Sequence, residues 1–285
     1  MQLISNPVTN PVTNSVTNSV TNPKIRPMIE ITQLKKYYTS GVLKKRITKA
    51  VDGVDLSVDK GMIYGLTGES GCGKTTLAMA MLRLIEPTAG SIIINGKNIM
   101  SLGKAFLKKM RPRYQIIWQN PEASFNPRMR ISDNILEPGR YYGKFCQKEE
   151  MDILSKYLNM VELPMDLVSR YPHEVSGGEN QRAVIARMLT MEPELLIADE
   201  PTSSLDILVQ EQILALLKKI QEQMNMTIVF ISHDLRVIRY MCRKMAVMLE
   251  GKIVEKGLCE TILSAPQHEY TRQLVTNTFG KWRLN

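Results

Sequence analysis

The sequence predicts an α/β fold, a parallel sheet with crossover helices and a helix-rich insertion. Three observations carry this. Gly68-Glu69-Ser70-Gly71-Cys72-Gly73-Lys74-Thr75 follows an apolar strand pattern and opens a helical one. From Gln181 onward, helix and strand patterns alternate, as crossover connections require. Residues 133–170 contain no clear strand, so they interrupt that alternation.

The elements follow in order. Residues 1–27 hold a four-residue repeat, Pro7-Val-Thr-Asn10 through Ser19-Val-Thr-Asn22. Its Pro, Asn, Ser and Thr resist helix and offer little apolar surface, so a disordered tail is expected. Folded sequence begins near Met28 and runs to Asn285. Met28–Tyr38 and Lys49–Val58 alternate apolar and polar residues and read as strands, with Lys44, Lys45 and Arg46 at a hairpin tip or loop. Met62–Leu66 is a strand entering the glycine-rich turn, and Thr75–Ile85 has helical spacing. Ser91–Asn95 is a short strand turning at Asn95-Gly96. Glu149–Met160 reads as an amphipathic helix. Then come a helix from Gln181 to Thr190, a strand Leu195–Ala198, a helix Ile207–Gln223, a strand Thr227–Ser232 and a helix Leu235–Cys242.

Composition narrows the function classes. The 285 residues are 44% hydrophobic and 23% charged, ordinary for a globular protein. No apolar run approaches the ~18 residues of a membrane span. The N-terminus lacks the basic start and apolar stretch of a secretory signal. Four isolated cysteines form no metal-ligand spacing and suit a reducing compartment. The net charge of +9 fits an anionic partner such as a nucleotide, or solubility alone.

The Gly68–Thr75 segment matches G-x-x-x-x-G-K-[ST] without deviation. Its glycines let successive N–H groups converge on phosphate oxygens, and the helix that follows adds its N-terminal dipole. Lys74 is expected to reach the β- and γ-phosphates and Thr75 to place a hydroxyl on Mg²⁺. Leu195–Ala198 ends in Asp199 and Glu200. Asp199 fits the acid that faces Mg²⁺, and Glu200 fits a base polarising the attacking water.

Six ordered elements resemble the ATP-binding-cassette (ABC) ATPases over about residues 28–255. Besides the phosphate loop and Asp199-Glu200, Ser176-Gly177-Gly178-Glu179-Asn180-Gln181-Arg182 resembles the L-S-G-G-Q signature, with Val175 for Leu and Glu179 for Gln. Gln119 resembles the Q-loop glutamine, Ser204-Leu205-Asp206 the D-loop, and His233 the switch histidine. The resemblance implies a P-loop NTPase with a RecA-like core, an antiparallel β subdomain, an inserted helical subdomain at about 130–180 and a C-terminal extension at about 256–285. It implies ATP and Mg²⁺ as ligands. ATP would contact Gly68, Glu69, Ser70, Gly71, Cys72, Gly73, Lys74, Thr75, Thr76 and Gln119. Tyr38 would stack on adenine, with Tyr37 as rival. Ser176, Gly177, Gly178, Glu179 and Asp206 would act across a dimer of cassettes. Thr75, Gln119 and Asp199 would serve Mg²⁺, and Glu200, His233 and Lys74 catalysis.

Finer phrases resemble the dipeptide/oligopeptide/nickel importer branch: Ser124-Phe125-Asn126-Pro127-Arg128-Met129, Tyr171-Pro172-His173-Glu174, and Pro266-Gln267-His268-Glu269-Tyr270-Thr271-Arg272. That resemblance implies a second, different cassette, two membrane permease subunits and an extracytoplasmic binding protein as partners, at the cytoplasmic face of the membrane. No nucleic-acid partner is expected, since paired cassettes or coiled coils are missing. A cysteine-bearing extension is missing too, so no iron–sulfur cluster is expected. Peptide and nickel cargo both stay open. Phe125, Met129 and Ile131, within about residues 120–145, are expected to form an apolar groove for a permease helix.

Overall fold

The computed structural model describes residues 27–41, 46–120 and 124–280. The tandem repeat and the Lys44-Lys45 tip lie outside the described residues.

Two sheets build the molecule. In the first, β1 (Pro27–Ser40) and β2 (Arg46–Asp59) form a long antiparallel pair, and β4 (Ala89–Ile94) and β5 (Lys97–Asn98) extend it in the order β2-β1-β4-β5. In the second, β3 (Ile63–Thr67), β6 (Tyr114–Ile117), β7 (Leu195–Asp199), β8 (Thr227–Ile231), β9 (Lys244–Leu249) and β10 (Lys252–Leu258) take the order β10-β9-β3-β8-β7-β6. All neighbours there are parallel except the β9–β10 hairpin at the edge.

Every residue of β3, β7 and β8 is buried, because both sheet faces are covered. The period of two splits their side chains between two cores. Leu196, Ala198, Ile228 and Phe230 join the helical side with Ile135, Leu158, Val184 and Ile213. Leu195, Ile197, Val229 and Ile231 join Ile29, Val54, Leu77 and Ile92 under the antiparallel sheet. The β9–β10 hairpin, which the sequence reading leaves unassigned, closes the sheet beside β3.

The helices are α1 (Lys74–Met81), α2 (Lys104–Met110), α3 (Ile131–Tyr142), α4 (Glu150–Met160), α5 (Gly177–Leu189), α6 (Ile207–Met224), α7 (Leu235–Met241), α8 (Cys259–Ser264) and α9 (Glu269–Phe279). Two boundaries differ from expectation. α1 stops at Met81 rather than Ile85, where Arg83 takes a φ of 49° that no right-handed helix allows. α5 starts at Gly177, four residues before Gln181. Ser176 accepts the Glu179 N–H and the Glu179 carboxylate accepts the Ser176 N–H, a reciprocal cap that overcomes two poor helix formers.

The expected apolar groove is corrected. Phe125 and Ile131 are 5% and 1% exposed and belong to the core, and Met129 is half-buried. The buried Asn134 side chain pulls this loop inward. It accepts the Asn126 N–H at 2.8 Å and donates to the carbonyls of Asn126, Met129 and Arg130 at 3.0–3.1 Å. Arg187 closes the outside, with its guanidinium 5.9 Å from the Phe125 ring and bonded to the Ser124 carbonyl.

Candidate active site

A cleft of about 760 Å³ opens where β3 ends, lined by Ser70, Gly71, Cys72, Gly73, Lys74, Thr75, Thr76, Gln119, Asp199 and Glu200. The β2 residues Ile47 to Ala50 and the Leu249–Lys252 turn complete it. Backbone bonds stitch these walls together. The Gly251 N–H donates to the Cys72 carbonyl at 2.9 Å and the Asp52 N–H to the Gly251 carbonyl at 2.8 Å. The turn at Glu250-Gly251 is a wall the sequence reading missed, although its glycine is a turn signal. Gly73 must be glycine here. Its φ is 110°, and a Cβ would lie 2.0 Å from the Ala50 carbonyl oxygen.

Lys74 is buried, and its Nζ donates to the carbonyls of Gly68 and Glu69, both at 2.8 Å. The ammonium thus waits at the loop's own dipoles, beside the space its N–H groups enclose. The Cys72 Sγ lies 3.9 Å from Nζ, but burial pushes this thiol up, so it is packing rather than a nucleophile.

Asp199 ends β7 almost fully buried. Desolvation raises its carboxyl above the usual range, while the Thr75 hydrogen bond opposes that and the Glu200 charge adds to it. A buried carboxylate against a threonine hydroxyl is a hard-oxygen pair, and the Gln119 amide lines the same cleft. Mg²⁺ takes one or two such protein oxygens and draws the rest from phosphates and water, so these residues fit it.

Glu200 takes a φ of 48°, unusual for a residue with a side chain. Its N–H donates to the Ile231 carbonyl at 3.0 Å, and the Ser232 N–H donates to the Leu66 carbonyl at 3.2 Å. These bonds tie together the ends of β7, β8 and β3. They bring His233 Nδ1 to 3.1 Å from Glu200 Oε1, so the expected base and the expected histidine are one contact pair.

The remaining residues stand elsewhere. Ser176, Gly177, Gly178 and Glu179 do not line this cleft. The Glu179 carboxylate accepts the Ser176 N–H and hydroxyl at 2.7 and 2.8 Å, which hold it below the usual carboxylate range. Its charge is therefore spent on capping α5. Asp206 caps α6, accepting the Val209 N–H at 3.0 Å. The signature and the Ser204–Asp206 turn meet within the chain, since a Cβ on Gly177 would lie 3.3 Å from Leu205 and one on Gly178 2.6 Å from Val209 Cγ1. Gly178→Ala should therefore cost about 1–3 kcal/mol of unfolding free energy by denaturant titration. Adding Val209→Ala should recover part of that loss.

Tyr38 is exposed on β1, with the Lys36 ammonium 4.9 Å from its ring; its ladder partner Thr48, not Tyr38 itself, lines the cleft. The Tyr37 hydroxyl donates to Asp52, which also lines the cleft.

A family model described as ABC transporter matches residues 51–203. The oligopeptide transport ATP-binding protein AppF of Bacillus subtilis is 40% identical over 255 residues, covering 88% of this chain and 78% of AppF. The dipeptide transport ATP-binding protein DppF of Haemophilus influenzae is 38% identical over 255 residues, with the same coverage of both chains. Among solved structures, the ATP-binding cassette MJ0796, dimeric and bound to ADP and Pi, superposes with a TM-score of 0.72. It is 28% identical, covering 81% of this chain and 99% of that one.

Proposed function

The chain belongs to the ABC transporter family, and from that premise we propose that it is the ATP-hydrolysing subunit of a peptide importer. The observation that carries this reading is the cleft itself. Lys74, a Thr75–Asp199 pair and Glu200 line one loop-and-helix cradle, and His233 stands against Glu200. The peptide cargo rests on the relatives, which are dipeptide and oligopeptide transport ATP-binding proteins.

The residues divide the work. Lys74 exchanges the Gly68 and Glu69 carbonyls for β- and γ-phosphate oxygens. Thr75, Asp199 and Gln119 would hold Mg²⁺, which neutralises phosphate charge when bound. Glu200 accepts the proton of the attacking water, and His233 holds Glu200 and the γ-phosphate in register. Tyr38 is the proposed adenine platform and must turn toward the cleft to serve.

Ser176 and its glycines stand outside this cleft, and their proposed role is on the nucleotide of a second cassette. There the Gly177 and Gly178 N–H groups, at the N-terminus of α5, would meet its γ-phosphate. The other partners we propose are two permeases and, through them, an extracytoplasmic binding protein. No helix among the described residues is long and apolar enough to cross a membrane. The proposed place of work is the cytoplasmic face of the membrane, docked on the permeases.

Phosphate release from MgATP by the purified full chain, alone and with its companion cassette, tests the enzyme assignment. Turnover that rises with the companion is expected. Nucleotide binding without any release in either case would remove it.

A further inference from the structure

The C-terminal helix reaches back to the phosphate loop. The Glu69 N–H donates to the Tyr270 hydroxyl oxygen at 2.7 Å, across 201 positions of sequence. Tyr270 is 8% exposed and Glu69 is exposed, so the bond joins a buried ring to the surface of the loop. The peptide between Gly68 and Glu69 is thereby held from both sides. Its carbonyl accepts from Lys74 Nζ and its N–H donates to Tyr270.

Tyr270 is itself firmly placed. It lies in the first turn of α9, and its N–H donates to the Nδ1 of His268, the capping residue. Glu255 on β10 accepts the N–H groups of Gln267 and His268 at 2.9 and 3.0 Å. β10 pairs with β9, and β9 with β3, the strand that runs into Gly68. Leu274 and Val275 seat the rest of α9 on the core. The hydroxyl is thus fixed relative to the strand that delivers the loop.

This arrangement matters when a nucleotide binds. Lys74 must leave the Gly68 and Glu69 carbonyls to reach phosphate, which removes one of the two holds on that peptide. We propose that Tyr270 is a positioning residue for the nucleotide phosphates. Its hydroxyl oxygen keeps the Gly68–Glu69 peptide in one orientation after Lys74 has moved, so the following N–H groups stay aimed into the cleft. It touches no reacting atom. The proposal rests on the reading of the cleft as an ATP site.

Tyr270→Phe in the full chain tests it, because the ring stays and only the acceptor goes. The Kd and KM for MgATP should rise about three- to tenfold, since the Glu69 N–H loses its acceptor and the peptide its second hold. The kcat should stay within about twofold and the Tm within about 2 °C. Unchanged Kd and KM in a folded variant overturn the proposal, as does a loss confined to kcat. If Tyr270→Phe does not fold, amide exchange in the wild-type chain decides. The Glu69 N–H should exchange slowly both without nucleotide and with MgATP, and exchange at the solvent rate overturns the proposal. A wild-type chain that binds no MgATP overturns the ATP reading and this proposal together. Wild-type binding matched by Tyr270→Phe overturns this proposal alone.

Discussion

Glu200→Gln should lower ATP turnover by about 10²–10⁴-fold, the usual loss on removing a general base. The change keeps the shape and the contact with His233 but removes the proton acceptor. The backbone at Glu200 is fixed independently, by its N–H bond to Ile231 and its φ of 48°. The fold and the phosphate loop should therefore be undisturbed, and the Kd for MgATP should stay near that of the parent. Phosphate release and equilibrium binding of labelled ATP measure the two halves. Turnover at the parental rate would show that another group accepts the proton.

Phe125→Asp should destabilise the chain by about 3–5 kcal/mol, from a lost aromatic and a buried unpaired carboxylate. For a chain of this size the Tm should fall by about 10 °C. Phe125→Leu should cost much less, since it keeps the site apolar. Thermal unfolding of both variants measures this. A charge tolerated at 125 without loss of Tm would mean that the ring faces a surface, as a docking groove requires.

That second prediction marks where sequence stops being informative. Ser124–Met129 holds apolar residues inside a turn-forming phrase, and such a pattern suits a groove or a buried loop equally. Asn134 decides between them. A buried amide that satisfies four backbone groups of the loop draws Phe125 into the core. In sequence, Asn134 is only a polar residue in a helix.

The proposed catalytic set was legible for the opposite reason. The proposed phosphate chemistry needs Lys74, Thr75, Asp199, Glu200 and His233 near the ends of parallel strands, and such ends can be recognised as apolar runs stopping at a turn. The sheet brings three of those ends together, which spacing along the chain does not state. Glu179 was legible as a departure from the signature but not as a cap, because its meaning depends on where α5 begins. Tyr270 was legible only as part of a phrase. A contact spanning 201 residues leaves no local periodicity to read. The β9–β10 hairpin escaped because β10 is mostly half-buried or exposed along its length, without the strict alternation that announces a strand.

The most direct test of the central claim is accumulation of labelled di- and oligopeptides by cells that lack this chain. The account predicts that uptake is lost, and that it returns with the wild-type chain but not with Glu200→Gln. Peptide uptake that is undiminished without the chain, or fully restored by Glu200→Gln, would contradict it.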